Sequence, residues 1–447
     1  MIRLLWGQWN EWALTELPRL NREILSGAPL EALIAGFRRN VLEELPEPES
    51  FSRQDARRVL VVLGLAGSSV ARHYQEADLS RKARPQESFD RLRAGPHGLP
   101  FLAYFAAVAE ASGAGHGDRD TYASLVRWNA PTTEVRMDGR VAALIPGCFP
   151  DLRIRTYTAD PGEISFFALL KKSEAFELAV NEALEPMAAE TIDILAPEAA
   201  VRVSDATRLM RALIHLNQSF AAVPPEQGGL KTDYFMDVFR QFAVHWRPAD
   251  LPPTGAADPE FLRRDFLLGI DFPGYADHVH HVFPALLAAE RVMLDGCMRR
   301  RPLGPSLLAA LGLDPGDLAA TGSQALRATV RAHPELAGWY LLLAANARFS
   351  AVHLQLTEKF LFRPQRVRDR SGLGDRPLVS NRRGTTGMEP PLLVRLTRAR
   401  SRHALRALGR IPDDELAAAC GMTAEASDAE GGPTVRFIRP SGIQPSG

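Results

Sequence analysis

His353 stands in the run Val352-His353-Leu354-Gln355-Leu356-Thr357-Glu358-Lys359-Phe360-Leu361. Around it Leu342, Ala345, Phe349, Val352, Leu356 and Phe360 recur at three- and four-residue steps, which draws one apolar stripe along a helix from Glu335 to Phe362. A histidine beside such a stripe must pair its ring nitrogens, because an unpaired buried polar group costs about 1–3 kcal/mol. A hydrogen bond in the core meets that need, and so does iron. A second set lies in a helix expected from Thr232 to Trp246, where Phe235, Val238, Phe239, Phe242 and Trp246 make the apolar stripe and Arg240 sits at its edge. A guanidinium suits a ligand carboxylate there, since its planar fork binds bidentately and stays charged when partly desolvated. Most arginines at a helix flank are simply surface residues. A third set, Asp277-His278-Val279-His280-His281, has the residue types for zinc or non-haem iron. Adjacent histidines diverge on a helix and no distant carboxylate motif completes the set, so a surface helix start is the plainer reading.

The elements that must position these residues are helices. Helical periodicity runs through Pro29 to Leu45, Arg53 to Tyr74, Leu99 to Ser112, Ile164 to Ala188, Asp205 to Ala221, Thr232 to Trp246, His278 to Met298 and Glu335 to Phe362, with few alternating runs. The expected fold is all-α. It comprises an N-terminal helical domain over residues 1–130, a linker over 131–162, and a larger helical bundle over 163–422 that carries His353 and Arg240. Within the linker, Val141-Ala142-Ala143-Leu144-Ile145 has the composition of a short strand. The tail, 423–447, is rich in Gly, Pro and Ser and reads as disordered.

Composition narrows the partners. The chain has 447 residues, 46% of them hydrophobic, enough for a large core, and its 53 Lys plus Arg balance 53 Asp plus Glu. That balance gives no basic field for nucleic acid. Cys148, Cys297 and Cys420 are too few and scattered for a disulfide framework or a thiolate metal site, which fits a reducing cytoplasm. The opening Met1 to Trp6 is too short for a signal peptide, and the longest apolar run, Val59 to Ala71, is stopped by Arg58 and Arg72. No membrane association is expected.

The His353 run, followed by Gly384-Thr385-Thr386-Gly387-Met388, resembles the haem-ligand helix and glycine-threonine loop of the indoleamine 2,3-dioxygenases. Phe235 and Arg240, five residues apart, resemble the aromatic and arginine that face the substrate in that family. Leu99-Pro100-Phe101-Leu102-Ala103-Tyr104 resembles its helix start with a pocket tyrosine, and Ile164-Ser165-Phe166-Phe167-Ala168-Leu169-Leu170 its paired-phenylalanine helix above the haem. The chain departs from the pattern at Leu170 and Ala107, where the dioxygenases carry a serine and a cysteine, and at Ser350, where they place an arginine one turn before the ligand histidine. Other stretches, Glu16 to Arg22, Trp128 to Pro131, Arg155 to Thr158 and Thr397 to Arg402, look more like the monodechloroaminopyrrolnitrin synthase family of the same superfamily. The pocket tyrosine of that family falls near Phe360 or Leu361. Together the resemblances cover most of residues 16–408.

The resemblance implies haem b with His353 as the proximal iron ligand. It implies a cofactor pocket that includes Phe166, Phe167, Tyr104, Gly384 and Gly387. Arg348, Lys359 and Arg363 are offered as partners of the haem propionates. Arg240, Phe235, Thr385 and Thr386 would hold the substrate. One histidine ligand leaves the sixth iron position open, which an oxygenase requires. The activity expected is a haem-dependent oxygenation by O2, or a ring rearrangement, of tryptophan or a related aromatic amino acid, halogenated or not, in secondary-metabolite biosynthesis. The alternatives are a tryptophan or indoleamine 2,3-dioxygenase giving an N-formylkynurenine-type product, and a haem-binding protein without catalysis. A metalloenzyme built on His278, His280 and His281 is the remaining option.

Overall fold

A helix that is apolar on every side must be enclosed by others, and Val59 to Ala71 makes such a helix. It lies in α1 (Arg53–Ala77), begun by Ser52, whose hydroxyl accepts from the Asp55 N–H at 3.2 Å. Every residue from Val59 to Ala71 is buried. The computed structural model describes residues 2–115, 117–371, 378–379, 390–422 and 432–439. Among the described residues no helix is long and apolar enough to cross a membrane. α1 packs against α2 (Phe101–Ala111) and against the chain around Arg240. Gly67 makes the second contact possible: a Cβ there would lie 2.6 Å from the Trp246 ring. Trp246 is sealed among Phe89, Phe101 and Phe105, and its indole N–H donates to Ser68 at 3.2 Å.

The fold is all-α. Its larger part is built on α3 (Pro161–Ala188) and α4 (Pro197–Ala222), which pack along each other. Against them lie α5 (Pro259–Leu268) and α8 (Glu335–Thr357), and α9 (Pro390–Ser401) packs on α8. Asp160 and Asp258 cap α3 and α5; Asp258 accepts from the N–H groups of Glu260 and Phe261 at 2.9 and 3.3 Å. One hydrophobic core runs through both the N-terminal helices and this bundle.

Not every stretch follows the periodicity reading. The helix expected from His278 to Met298 is two, α6 (Tyr275–Val282) and α7 (Ala288–Arg299), because Pro284 can neither donate to nor fit within a continuous helix. The helix expected from Thr232 to Trp246 ends at Phe242. It passes from one α-turn through a π-helical turn, Phe235–Phe239, into a 3-10 turn, Arg240–Phe242. A second π-helical turn, Glu358–Phe362, continues α8. Within the linker, β1 (Thr133–Met137) and β2 (Arg140–Ile145) form an antiparallel hairpin, as the composition of Val141 to Ile145 indicates. In the tail, the expectation of disorder fails for the described stretch. Residues Thr434–Phe437 form β3, paired antiparallel with β1, Thr133 opposite Phe437 and Val135 opposite Val435. Val435 and Phe437 alternate with polar residues, and this period of two outweighs the tail's low-complexity flanks.

Candidate functional site

Helix α8 brings His353 to the wall of a cavity of about 240 Å³ enclosed by α3, α4, α5, α8, α9 and the two π-helical turns. Phe166, Leu169 and Leu170 enter from α3, Phe220 from α4, Phe261 from α5, and Leu356, Phe360 and Leu361 follow His353 along its own helix. The imidazole lies 6.0 Å from the Phe261 ring and 6.1 Å from the Phe349 ring, centroid to centroid. Neither ring nitrogen makes a hydrogen bond among the described residues. Burial, reinforced by the positive charges of Arg400 and Arg264, pulls its pKa down to about 4. The imidazole is therefore neutral at physiological pH and has a lone pair for a metal.

The π-helical turn before Arg240 carries it into a second cavity, of about 190 Å³, lined also by Tyr122, Tyr157, Phe167 and Phe239. Phe166, Leu170, Phe235, Thr254, Gly255 and Leu361 line both cavities and so divide one apolar space in two. Each part is smaller than the roughly 300–1,000 Å³ usual for a small-molecule site, and the two together fall within it. Arg240 is only 6% exposed, and burial lowers its pKa to about 10, so it remains a cation at neutral pH. A desolvated cation in an apolar pocket attracts a carboxylate strongly. The two π-helical turns touch through Phe235 and Phe360, 6.2 Å apart. Such turns concentrate at functional sites, and a 3.6-residue period does not reveal them.

Behind the cavity lining lies a charged layer that reaches it through Glu177. Arg264 of α5 is fully buried and donates to Glu177 of α3 at 3.0 Å, while its guanidinium lies over the Phe261 and Phe349 rings. Arg400 of α9 clasps Asp265 with two bonds, 2.9 and 2.6 Å, and donates a third to the Ser350 hydroxyl at 2.7 Å. Tyr275 donates to the same Asp265 carboxylate at 2.7 Å. Ser350 is one turn before His353, so a cation does stand beside that turn, brought from another helix. Sequence reasoning missed Glu177, Asp258, Arg264 and Asp265. For Arg400 the only signal was its place within Thr397 to Arg402.

Of the residues expected at the site, His353, Phe166, Phe167, Phe235 and Arg240 come together here. Tyr104 does not. Its hydroxyl donates to the Pro46 carbonyl at 2.5 Å and it lines neither cavity, because α2 turns that face toward the N-terminal core. Arg348 is exposed and lines a separate groove with Arg211 and Asp414; five residues from His353, it points to a different side of α8. Lys359 instead donates to the Ala221 carbonyl at 2.7 Å. Gly384, Thr385, Thr386 and Gly387 lie outside the described residues. Just before them, the Val379 N–H donates to the Gln241 side chain at 3.0 Å, next to Arg240. Among the described residues no three His, Cys, Asp or Glu side chains converge as metal ligands. His280 and His281 are exposed on α6, where successive side chains fan out, and His280 faces Asp295 at 3.4 Å.

Compared with known proteins, the chain matches no family model, and no curated protein is significantly similar to it in sequence.

Proposed function

We propose that this protein is a haem-dependent oxygenase of a tryptophan-like aromatic amino acid, of the tryptophan and indoleamine dioxygenase superfamily and nearest to its monodechloroaminopyrrolnitrin synthase branch. The observation that carries this reading is a neutral imidazole without a hydrogen bond among the described residues, in an apolar cavity that adjoins a second one holding a buried arginine. These residues fit haem. The donor set is one neutral histidine in a mostly aromatic and aliphatic lining, so His353 would hold the haem iron. When bound, haem supplies the activation of dioxygen that no side chain of this cavity offers.

The chain's own residues bind and orient. His353 would hold the cofactor. Arg240 fixes the substrate carboxylate, and Phe166, Phe167 and Phe235 clamp its ring and exclude water. Leu170, where the dioxygenases carry a serine, leaves that part of the wall without a hydroxyl donor. The test is the absorption spectrum of protein expressed with a haem precursor, in ferric and ferrous forms, titrated with L-tryptophan and 7-chloro-L-tryptophan. The expected result is a stoichiometric Soret band that shifts with one of them. A chain that cannot be loaded with haem overturns the proposal.

A further inference from the structure

Glu177 and Asp258 both line the His353 cavity, and the Asp258 side chain acts directly on the Glu177 carboxyl. They are 2% and 6% exposed. Glu177 Oε1 accepts from Arg264, but Oε2 is buried and receives no donor from any described residue. Asp258 Oδ1 accepts from the two N–H groups it caps, and Tyr122 donates to Oδ2 at 3.3 Å. An ionised Asp258 gives Glu177 nothing but repulsion. A single proton on Asp258 turns the contact into an O–H···O bond and satisfies the orphaned oxygen, as in carboxyl pairs too close to ionise together.

The charges facing the pair agree. Burial, then Glu177, then Glu174 raise the Asp258 carboxyl well above the usual range, against Arg127 and the Phe261 N–H. Burial raises Glu177 as well, opposed by Arg264 and Arg400. Tyr122, wedged between Asp258 and Glu174, is itself held neutral.

We infer that Glu177 and Asp258 hold one proton between them at neutral pH and are the proton donor to chemistry in the His353 cavity. This rests on the proposed oxygenase function and narrows it. Insertion of both oxygen atoms consumes no protons, so a buried donor points instead to mono-oxygenation. In that reaction a ring C–H becomes C–OH, the O–O bond breaks, and the second oxygen leaves as water. Two electrons come from a one-electron carrier protein acting twice, and two protons are consumed. The pair gives one proton, regains one from solvent and gives the second.

The first test needs no haem. Infrared difference spectra of the full chain at neutral pH, unaltered protein minus variant, are expected to show a D2O-sensitive protonated-carboxyl band for Asp258→Asn, which keeps the helix cap, and for Glu177→Gln, where the amide supplies the missing donor; the subtraction removes the contribution of Glu163, whose carboxyl burial pushes up to about 7. Absence of the band from the difference spectra overturns the inference. The second test supplies haem-loaded protein with L-tryptophan or 7-chloro-L-tryptophan, labelled dioxygen and a plant-type ferredoxin with its reductase. One labelled atom is expected in the product, with yield falling about 100-fold or more in Asp258→Asn as peroxide is released instead. Two labelled atoms, or no labelled product, overturn the donor role and leave haem binding intact. A chain that keeps the band and takes up no haem defeats the oxygenase reading, and the donor role with it, while the shared proton stands.

Discussion

The lining of the His353 cavity and the charged layer behind it share helices and obey opposite rules. Along the inner face of α3, Phe166, Leu169 and Leu170 are followed at helical steps by Ser173 and Glu177, so one helix turns from apolar to charged within three turns. α5 does the same, from Phe261 to Arg264 and Asp265. The aromatic wall is interchangeable surface: its residues exclude water, and any of several side chains would do so. In the charged layer behind it Arg264 answers Glu177 and Arg400 answers Asp265, so loss of one member strands another in a dry interior. Shape comes from the lining, while the protonation state and orientation around His353 come from the layer behind it.

The sharpest way to break this comparison is to remove the histidine in the cavity. His353→Ala is expected to abolish haem uptake, read as loss of the Soret band, with the far-ultraviolet circular dichroism unchanged. Next in size, Asp265→Ala strands Arg400 and is expected to cost about 3–5 kcal/mol in denaturant unfolding. Phe166→Ala on the aromatic wall should cost clearly less than the about 3–5 kcal/mol of a fully packed phenylalanine, because its ring already borders empty space. Equal losses in the two variants would erase the distinction between lining and layer.

A smaller effect separates binding from stability. Arg240→Ala is expected to weaken L-tryptophan about 10- to 100-fold, the scale of a charged hydrogen bond, and to leave tryptamine unchanged by calorimetry. A parallel loss for both ligands would remove the carboxylate role. The smallest effect concerns pH. His353 and His403 are each held neutral by burial, with folded pKa values near 4 against about 6.5 when unfolded. Between those values the unfolded chain binds protons that the folded one does not, so stability is full above about pH 6.5 and falls on acidification toward about pH 4. Melting temperatures measured across that window should decline, and His403→Gln, remote from the cavity, should flatten part of the decline without changing haem uptake.

Helical period was legible at α3, α4 and α8, which bury long stripes that repeat along the chain, while α1 was marked by an apolar run buried on every side. It failed at Thr232 to Trp246, where the π-helical turn shifts the face presented by Arg240, and at Pro284, whose ring outweighs the periodicity around it. At the site, His353, Phe235 and Arg240 were marked by residue type and local spacing. Tyr104 had the same kind of mark and points elsewhere, since a local pattern does not say which of two cores a helix face will meet.

What the sequence determined by itself is therefore local: which stretches coil, which faces are apolar, and that a histidine and an arginine sit beside such faces. Only the tertiary structure decided the rest. It brought Glu177 to Asp258 and Asp265 to Arg400 across 81 and 135 positions of chain. The reason is electrostatic. A carboxylate or guanidinium tolerates a dry interior only beside a partner, and whether that partner arrives depends on how distant helices pack.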